Sequence, residues 1–572
     1  MFLPINNFEM KKLGWDELDI IFVSGDTYID SPYNGLALLG KYLIKHGFRV
    51  GIIPQPGLDS DKDILSLGIP RLFWGVSSGT VDSMVANYTP LLKKRKEDDF
   101  TPGGINNRRP DRAVIKYTNL IRKYDKSKTT IVLGGIEASL RRIAHYDYWD
   151  DKIRRSILFD SKADILIYGM AELSILELAD KIDKKENLKD IRGICYINKL
   201  KKESYIELPS YEEVINDKVK FIQMFELFYK NIDHRIANGL VQKHGDRYLI
   251  QNPPQRPLTQ SELDTLYELE FEHDVHPEIK KMGKVKAIDT IKFSITINRG
   301  CYGECNFCAI TVHQGATVVS RSINSIIKEV NNIKKLRHFD GIIRDLGGPT
   351  ANMYEIECTK KLTSGKCIHK RCLFPQKCSS IKINHEKLIT LMSEIRKING
   401  VKKIFVASGI RYDMVMEDSE NGEKYLSDII KYHTSGQLKI APEHIDEEIL
   451  KIMGKPSNRY LKNFIERFYK ICKNEKVNYF LTYYFIAAHP GCDLSKMKKL
   501  QEYIKHYIKI KPEQVQIYTP LPSTLSSVYY YTEQYQGKKI FVEKSLKNKM
   551  LQKDIITKNN LSSSRQKNTD KD

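Results

Sequence analysis

The sequence predicts an α/β protein in two parts, an N-terminal doubly wound parallel sheet followed by a partial (β/α)6 barrel. Three observations carry that prediction. Short runs rich in Val, Ile and Phe alternate with amphipathic helical patterns over most of the 572 residues. In the second half the strand–helix unit recurs six times with regular spacing. No run of about 18 apolar residues interrupts the alternation, so no segment reads as a membrane span.

In the first part the β-rich runs are DIIFVSG (19–25), RVGIIPQ (49–55), RLFWGVSS (71–78), TTIVLGGI (129–136) and ADILIYG (163–169). Between the first two, PYNGLALLGKYLIKHG (32–47) has helical periodicity and stops at His46-Gly47, a glycine C-terminal signal. This domain is expected over 1–185. From 186 to 290 the pattern weakens to a hairpin (RGICYINK, SYIELPS), a helix near FIQMFELFYKNI and the irregular QNPPQRPLT, which together read as a connector. From 291 to 545 the strands are IKFSITI, GIIRDL, KKIFVAS, GQLKIAP, NYFLTYYFIAAH and QVQIYTP. The helices between them are expected at 322–337, 386–398, 423–433, 446–453, 459–475 and 494–510, with a cysteine-rich insertion at 352–380. Residues 546–572, ending KNNLSSSRQKNTDKD, are polar and poor in aromatics, so they read as a disordered tail.

A formal charge of +21 admits a nucleic-acid partner. The lysines, however, lie on nearly every expected helix rather than in one stripe, which supports that partner only weakly. Ten cysteines are present and seven fall between Cys301 and Cys378. A secreted disulfide framework spreads its cysteines, and a chain this long needs no such staples, so the clustering points to metal. The first residues lack an apolar leader core, which with the reduced thiols gives a cytoplasmic, non-membrane expectation.

The stretch NRGCYGECNFC places Cys301, Cys305 and Cys308 in a Cys-x3-Cys-x2-Cys loop. Three thiolates hold three corners of a cubane iron–sulfur cluster and leave one iron open. The competing reading closes a Cys3His zinc site with His313, five residues after Cys308. In parallel α/β architectures reactive groups gather at the carboxyl ends of strands, where this loop falls, and that position favours the open cluster.

The chain resembles the radical S-adenosylmethionine (SAM) superfamily and, within it, the YgiQ family. The matching stretches include GDTYIDSPYNGLALLGKYLIKHGFRVGIIPQP, INRGCYGECNFCAITVHQG, DLGGPTANMY, ASGIRYD, LKIAPEH, YFIAAHPG and QVQIYTPLPSTLSSVYYYT, spread over residues 19 to 531. The resemblance implies a [4Fe–4S] cluster on Cys301, Cys305 and Cys308, with SAM on the open iron and an electron donor such as flavodoxin or ferredoxin. It implies reductive cleavage of SAM to a 5′-deoxyadenosyl radical that abstracts hydrogen from a substrate. By the same comparison Gly347 and Gly348 receive the methionine amino group, Phe307 lies near the adenine, and Ser408, Arg411 and Glu443 make ribose and carboxylate contacts. A Ser or Glu at a strand end is also an ordinary helix cap. His489 in HPG reads as a turn histidine satisfied by backbone, with proton donation the alternative. In that family an arginine often follows the glycine of HQGATVVSRS, where this chain has Ala316.

Cys358, Cys367, Cys372 and Cys378 form a second set within the insertion. Their number suits zinc or an auxiliary iron–sulfur cluster, although the spacing matches no tight zinc knuckle. Cys195, Cys472 and Cys492 read as isolated core residues. The N-terminal part is similar to the cobalamin-binding-like sheets of other radical SAM enzymes, but their Asp-x-His-x-x-Gly motif reads here Asp30-Ser31-Pro32-Tyr33-Asn34-Gly35. With no histidine for cobalt, cobalamin is disfavoured. Gly134 and Gly135 read as a turn rather than a ligand contact. Two further functions stand beside the main expectation: a methylthiotransferase-like modification of RNA or protein, and a non-catalytic iron–sulfur or zinc protein that binds nucleic acid. Substrate and catalytic residues are not specified by the sequence.

Overall fold

The computed structural model describes residues 1–558. One sheet of nine strands fills the N-terminal part: β1 (Ile20–Ser24), β2 (Val50–Pro54), β3 (Phe73–Ser77), β4 (Thr130–Leu133), β5 (Ile165–Ile167), β6 (Ile194–Asn198), β7 (Ile206–Leu208), β8 (Leu240–His244) and β9 (Arg247–Gln251). Their spatial order is β7-β8-β9-β6-β5-β4-β3-β1-β2. Strands β2-β1-β3-β4-β5 run parallel, so the winding reverses between β1 and β3, where sheets of this kind accept ligands outside their carboxyl ends. The parallel strands read as unbroken apolar runs because both faces are covered: Ile21 and Val23 pack into one core, Ile20 and Phe22 into the other. The helix Gly35–Lys45 starts where the Asn34 side chain accepts from the Leu36 and Ala37 amides, three residues later than the apolar pattern begins.

One carboxylate aligns the opening of this sheet. Asp19, just before β1, accepts from the Arg49 amide at 2.8 Å and from its Nη2 at 2.8 Å. It also accepts from Arg71 Nε at 2.7 Å. It thereby joins the starts of β1, β2 and β3 through charge-assisted bonds.

The stretch 186–290 is not a connector. Strands β6 to β9 extend the same sheet, β6 antiparallel to β5 and to β9, and the helix Lys218–Lys230 buries Phe221, Met224, Phe225 and Phe228 in its core. The expected hairpin between RGICYINK and SYIELPS does not form. The hairpin is β8–β9, turned at Gly245 with φ +62°. The apolar runs here are short, and their partners are distant in sequence, so periodicity alone pairs them wrongly.

The second part is a row of six parallel strands: β10 (Ser294–Thr296), β11 (Ile342–Ile343, resuming as Asp345–Gly347), β12 (Lys403–Ile404), β13 (Gln437–Glu443), β14 (Phe480–Ala487) and β15 (Gln514–Ile517). Neighbours in sequence are neighbours in space. β10 pairs β11, β11 pairs β12, an isolated parallel bridge joins Ile410, in the segment after β12, to Ile440 of β13, and β13-β14-β15 form one sheet. The helix Arg459–Asn474 shows why this half was readable: Tyr460, Leu461, Phe464, Ile465, Phe468, Ile471 and Cys472 repeat at three- and four-residue spacing and all are buried. No helix among the described residues is long and apolar enough to cross a membrane.

The tail expected from 546 begins instead as a helix, Leu546–Thr557, with Lys549, Gln552 and Ile556 buried. Gln552 accepts from the Ala488 amide at 2.8 Å and donates to the Cys492 carbonyl at 3.0 Å. Lys549 Nζ donates to Tyr148 at 3.0 Å and Tyr530 at 2.8 Å. A helix that buries mostly polar groups carries little apolar signal, which hides it from a periodicity reading. The remainder of that tail lies outside the described residues.

Burial alone would raise the Asp19 carboxyl, but Arg49 and Arg71 outweigh it and hold the group down at about 2, against 3.8 when free. A depressed folded value means this contribution to stability is complete above pH 3.8 and is lost as pH falls towards about 2. Asp19→Asn is therefore expected to lower the urea midpoint at neutral pH, and the gap from the wild type is expected to shrink steadily below pH 3.8.

Candidate active site

The cysteine loop leaves β10 through a short strand, Asn298–Arg299, paired antiparallel with Val319–Ser320. Gly300 has φ +80°, and a Cβ there would collide with the Thr317 carbonyl, so only glycine makes this turn. Past it, a Cβ on Gly303 would lie 3.3 Å from Cys301 Sγ, 3.7 Å from Cys305 Sγ and 2.7 Å from Arg411 Nη1. Two loop sulfurs and a guanidinium thus converge on one bare backbone position. Cys301 Sγ accepts from the Gly303 amide at 3.3 Å and lies 3.7 Å from Thr350 Oγ1. Arg411 Nη1 lies 3.8 Å from Cys305 Sγ, while Nη2 pairs with Asp413 at 2.6 Å.

Burial pushes the Cys308 thiol up to about 12, with Cys305 adding to it. Cys301 is raised in the same way, by burial and then Cys305, against the pull of Arg411. Three partly buried thiols on one short loop are a donor set for a cationic centre, whose charge removes their protons. Among the described residues no three His, Cys, Asp or Glu side chains already stand as a closed metal site; what the loop supplies is the donor set and its cradle. All ten cysteines are free thiols.

His313 does not close a Cys3His site. It sits on the helix Ile310–Gln314 and its Nδ1 is 3.2 Å from Ser139 Oγ, on the helix Gly135–Leu140 of the N-terminal part. Phe307 stands edge-on to His489, ring centroids 6.2 Å apart. His489 contacts the Pro490 carbonyl at 3.0 Å and Ser526 Oγ at 2.8 Å, and burial holds it down at about 3, which fits the satisfied turn histidine rather than a proton donor.

At the neighbouring strand ends, a Cβ on Gly347 would stand 2.6 Å from Ser408 Oγ, and one on Gly348 2.7 Å from the Asn298 carbonyl. Ser408 donates its hydroxyl to Asp345, which also accepts from the Ala407 and Ser408 amides at 2.7 and 3.0 Å. Ser408 therefore works first as the tie between β11 and β12. Glu443, at the end of β13, has φ +67°, a strained conformation for a non-glycine residue. Burial raises its carboxyl to about 7 against the opposing pull of Lys455 and Arg411, and it faces Cys308 closely enough to raise that thiol.

Sequence reasoning missed four residues that hold or line this site. Asn298 is fully buried, and its side-chain oxygen and nitrogen both lack a partner. It borders a cavity of about 420 Å³ between the carboxyl ends of the N-terminal sheet and those of the barrel. Tyr33 reaches into the same cavity beside Thr296 and Asp345, and Gly134 and Gly135 line it from β4. Gly135, at φ +81°, is needed for its turn and also faces the cavity.

The other misses are Glu304 and Lys361. Glu304, between the first two cysteines, is buried with φ +46°. Its carboxylate pairs with Lys361 at 2.8 Å and Lys366 at 3.2 Å, and Tyr229 lies 3.4 Å away. Its backbone carbonyl accepts from Arg371 at 2.9 Å. Burial alone would raise the Glu304 carboxyl, and Lys366 and Lys361 outweigh it and hold it below the usual range. Nothing in the string GEC marks this residue as buried; a Glu between metal-type cysteines and two Lys in the insertion were the only signals.

Those lysines belong to the cysteine-rich insertion, which has little regular structure beyond the helix Thr359–Ser364 and the pair Glu357–Cys358 with Ile381–Lys382. Cys358, Cys372 and Cys378 pack with Tyr302 and Cys301 in one small apolar cluster, and Cys367 stands outside it. Cys195, Cys472 and Cys492 are buried as expected.

Barrel, loop and overlying sheet together make this a radical SAM enzyme. The Radical SAM N-terminal family model matches residues 2–294. A UPF0313 protein of Fusobacterium nucleatum is 54% identical over 559 residues, 97% of this chain and 98% of that one. One of Thermotoga neapolitana is 48% identical over 571 residues, 98% of this chain and 99% of that one. The chain belongs to the UPF0313 (YgiQ-like) family of the radical SAM superfamily. Among solved structures, the cobalamin-dependent S-adenosylmethionine radical enzyme OxsB with aqua-cobalamin bound superposes with a TM-score of 0.51 at 13% identity, over 92% of this chain and 57% of that one. That likeness is one of fold.

Replacing Glu304 by Gln leaves two buried ammonium groups without a counter-charge, which costs about 3–5 kcal/mol. The expected result is a lower urea midpoint for Glu304→Gln, with recovery when Lys361→Met is added, since the second change removes one of the stranded charges.

Proposed function

We propose that Cys301, Cys305 and Cys308 hold a [4Fe–4S] cluster whose open iron takes SAM, and that the reaction is hydrogen abstraction from a substrate lying in the cavity between the barrel and the N-terminal sheet. The observation that carries this reading is the convergence of the loop sulfurs with Arg411 at the carboxyl mouth of a six-stranded barrel. Bound there, cluster and SAM supply a 5′-deoxyadenosyl radical on one-electron reduction.

The chain's own residues then have separate tasks. Arg411 keeps positive charge beside the thiolates, steadied by Asp413. Ser408 and Asn298 close so tightly on Gly347 and Gly348 that a side chain would not fit, and Gly348 lines the cavity, where its backbone would meet the methionine amino group. Asn298 offers an unpartnered donor and acceptor to whatever enters the cavity, since a buried amide without partners is costly until a ligand satisfies it. Phe307 packs against both the barrel core and the core of the N-terminal sheet, between which the adenine would lie close to it. Ser408 and Glu443 stand within reach of a ligand at the strand ends, Ser408 through its lining of the cavity. The overlying sheet covers the barrel mouth, which limits the access of water and competing hydrogen donors.

Nothing in this reading requires cobalamin. Pro32 fills the histidine position of the cobalt-ligating motif, and Asp30, its first residue, is committed to Lys41 and Tyr28 at 2.8 Å each.

After anaerobic reconstitution and reduction, the wild type is expected to convert SAM to 5′-deoxyadenosine, and Cys305→Ala to fall to background. An intact cluster with no 5′-deoxyadenosine would overturn the reading. The insertion holds four cysteines in an irregular segment with little core of its own, which is how metal-braced segments look. Iron and zinc per chain are expected to drop in the Cys358→Ala, Cys367→Ala double variant; unchanged counts would assign those thiols to packing.

A further inference from the structure

Two arginines follow the helix Gly135–Leu140, and their surroundings differ. Arg141 is paired with Asp82 and lies near Glu137. Arg142 is just as buried, 1% exposed, and has no carboxylate partner among the described residues. Its guanidinium is held in place rather than neutralised. Nε donates to Gln251 at 3.2 Å and Nη1 to the Ser139 carbonyl at 2.5 Å. The rings of Tyr168 and Phe228 sandwich it, each centroid 4.5 Å from Cζ. Gln251, having spent its oxygen on Arg142, keeps an amide nitrogen with no partner. Burial depresses the guanidinium's basicity, opposed by Tyr168 and Cys195 but by no carboxylate.

Arg142 lines a chamber of about 90 Å³ whose other cations are Arg256, Arg299 and Lys366, against a single acid, Asp233. Those three are already matched, to Glu262, Glu172 and Glu304. On the outer side the chamber shares His234, Gln255 and Arg256 with an open vestibule that adds Arg192 and Arg235 and no acid. Arg192 spends its donors on the Pro254 and His234 carbonyls at 3.0 and 2.7 Å. On the inner side the chamber shares Gly169, Arg299, His313 and Gln314 with the large cavity at the barrel mouth. The chamber thus stands between the open vestibule and the cavity at the barrel mouth, sharing wall residues with each.

We propose that this chamber is an oxyanion site: Arg142 receives a phosphate or carboxylate of the substrate, which arrives past Arg192, Arg235 and Arg256 and extends towards the barrel mouth. A guanidinium stripped of water and fixed in position gains most from an incoming anion, because a charge-assisted bond there replaces hydration already lost. The arginines of the vestibule raise the local concentration of anions at its mouth. The assignment rests on the barrel as the reaction site, but its test needs neither cluster nor SAM.

Calorimetric titration of the full chain at low ionic strength with inorganic phosphate, and separately with succinate, is expected to show binding of at least one. Phosphate alone would mark the substrate as phosphorylated, succinate alone as a carboxylate, and both would indicate a general oxyanion site. Arg142→Gln is expected to weaken binding about tenfold or more. The exposed Arg235→Glu should weaken it less and flatten its salt dependence. If Arg142→Gln fails to fold, hydrogen exchange on the wild type gives the location, with protection by the bound anion expected around 138–142 and 251–256. Binding of neither anion, an unchanged Arg142→Gln, or protection elsewhere would overturn the assignment. A chain that makes 5′-deoxyadenosine but binds no anion sinks this proposal alone; one that binds anion but never makes 5′-deoxyadenosine sinks only the reading of the barrel.

Discussion

The architecture of the site hangs on the buried carboxylate of Glu304. A loop of three cysteines has no regular hydrogen bonding of its own, so something must fix it from outside. Glu304 does so by drawing two lysines of the insertion into the interior, where the attraction is strong because water is absent. Lys361 then also donates to the Ala316 carbonyl at 2.9 Å, closing the far side of the same loop. From the barrel, Asn306 donates to the Ile452 carbonyl at 2.8 Å and its amide to Met453 at 2.8 Å. The insertion, which reads in sequence as an appendage, is half of the clamp that shapes the cysteine loop.

How much of this was legible depends on how far apart the interacting groups lie. The six barrel strands and their helices follow from local alternation, since each strand pairs with the next in sequence. The cysteine triplet stands out by its spacing, and the fold places its loop just after the first barrel strand, where that spacing led one to expect it. Strands β6 to β9 were misread because their partners were set by the sheet's edge and not by nearby turns. Asn298 and Glu304 were invisible for a different reason: each is an ordinary polar residue whose meaning comes from burial, and burial here is decided by segments 50 or more residues away. Likewise the helix Leu546–Thr557 buries a lysine and a glutamine in place of leucines.

The formal charge of +21 gains a different meaning in three dimensions. Most of the basic residues are surface lysines or are matched to acids, and their number says little about partners. What distinguishes the protein is position: Arg142 unmatched and desolvated, Arg411 beside the sulfurs, and two lysines committed to Glu304. Each uses low dielectric to make one charge count for more than many exposed ones. A diffuse composition thus conceals a directed field.

The glutamine that bonds the Ala488 amide and the Cys492 carbonyl lies some sixty residues downstream of both. During synthesis from the N-terminus the turn after β14 therefore waits for the helix Leu546–Thr557 before its backbone is satisfied. Until then the turn that meets the cysteine loop at Phe307 and His489 has an unfinished edge, while the strands of the N-terminal sheet are already made. The order of manufacture is roof first, reaction chamber last, with the final helix as the latch.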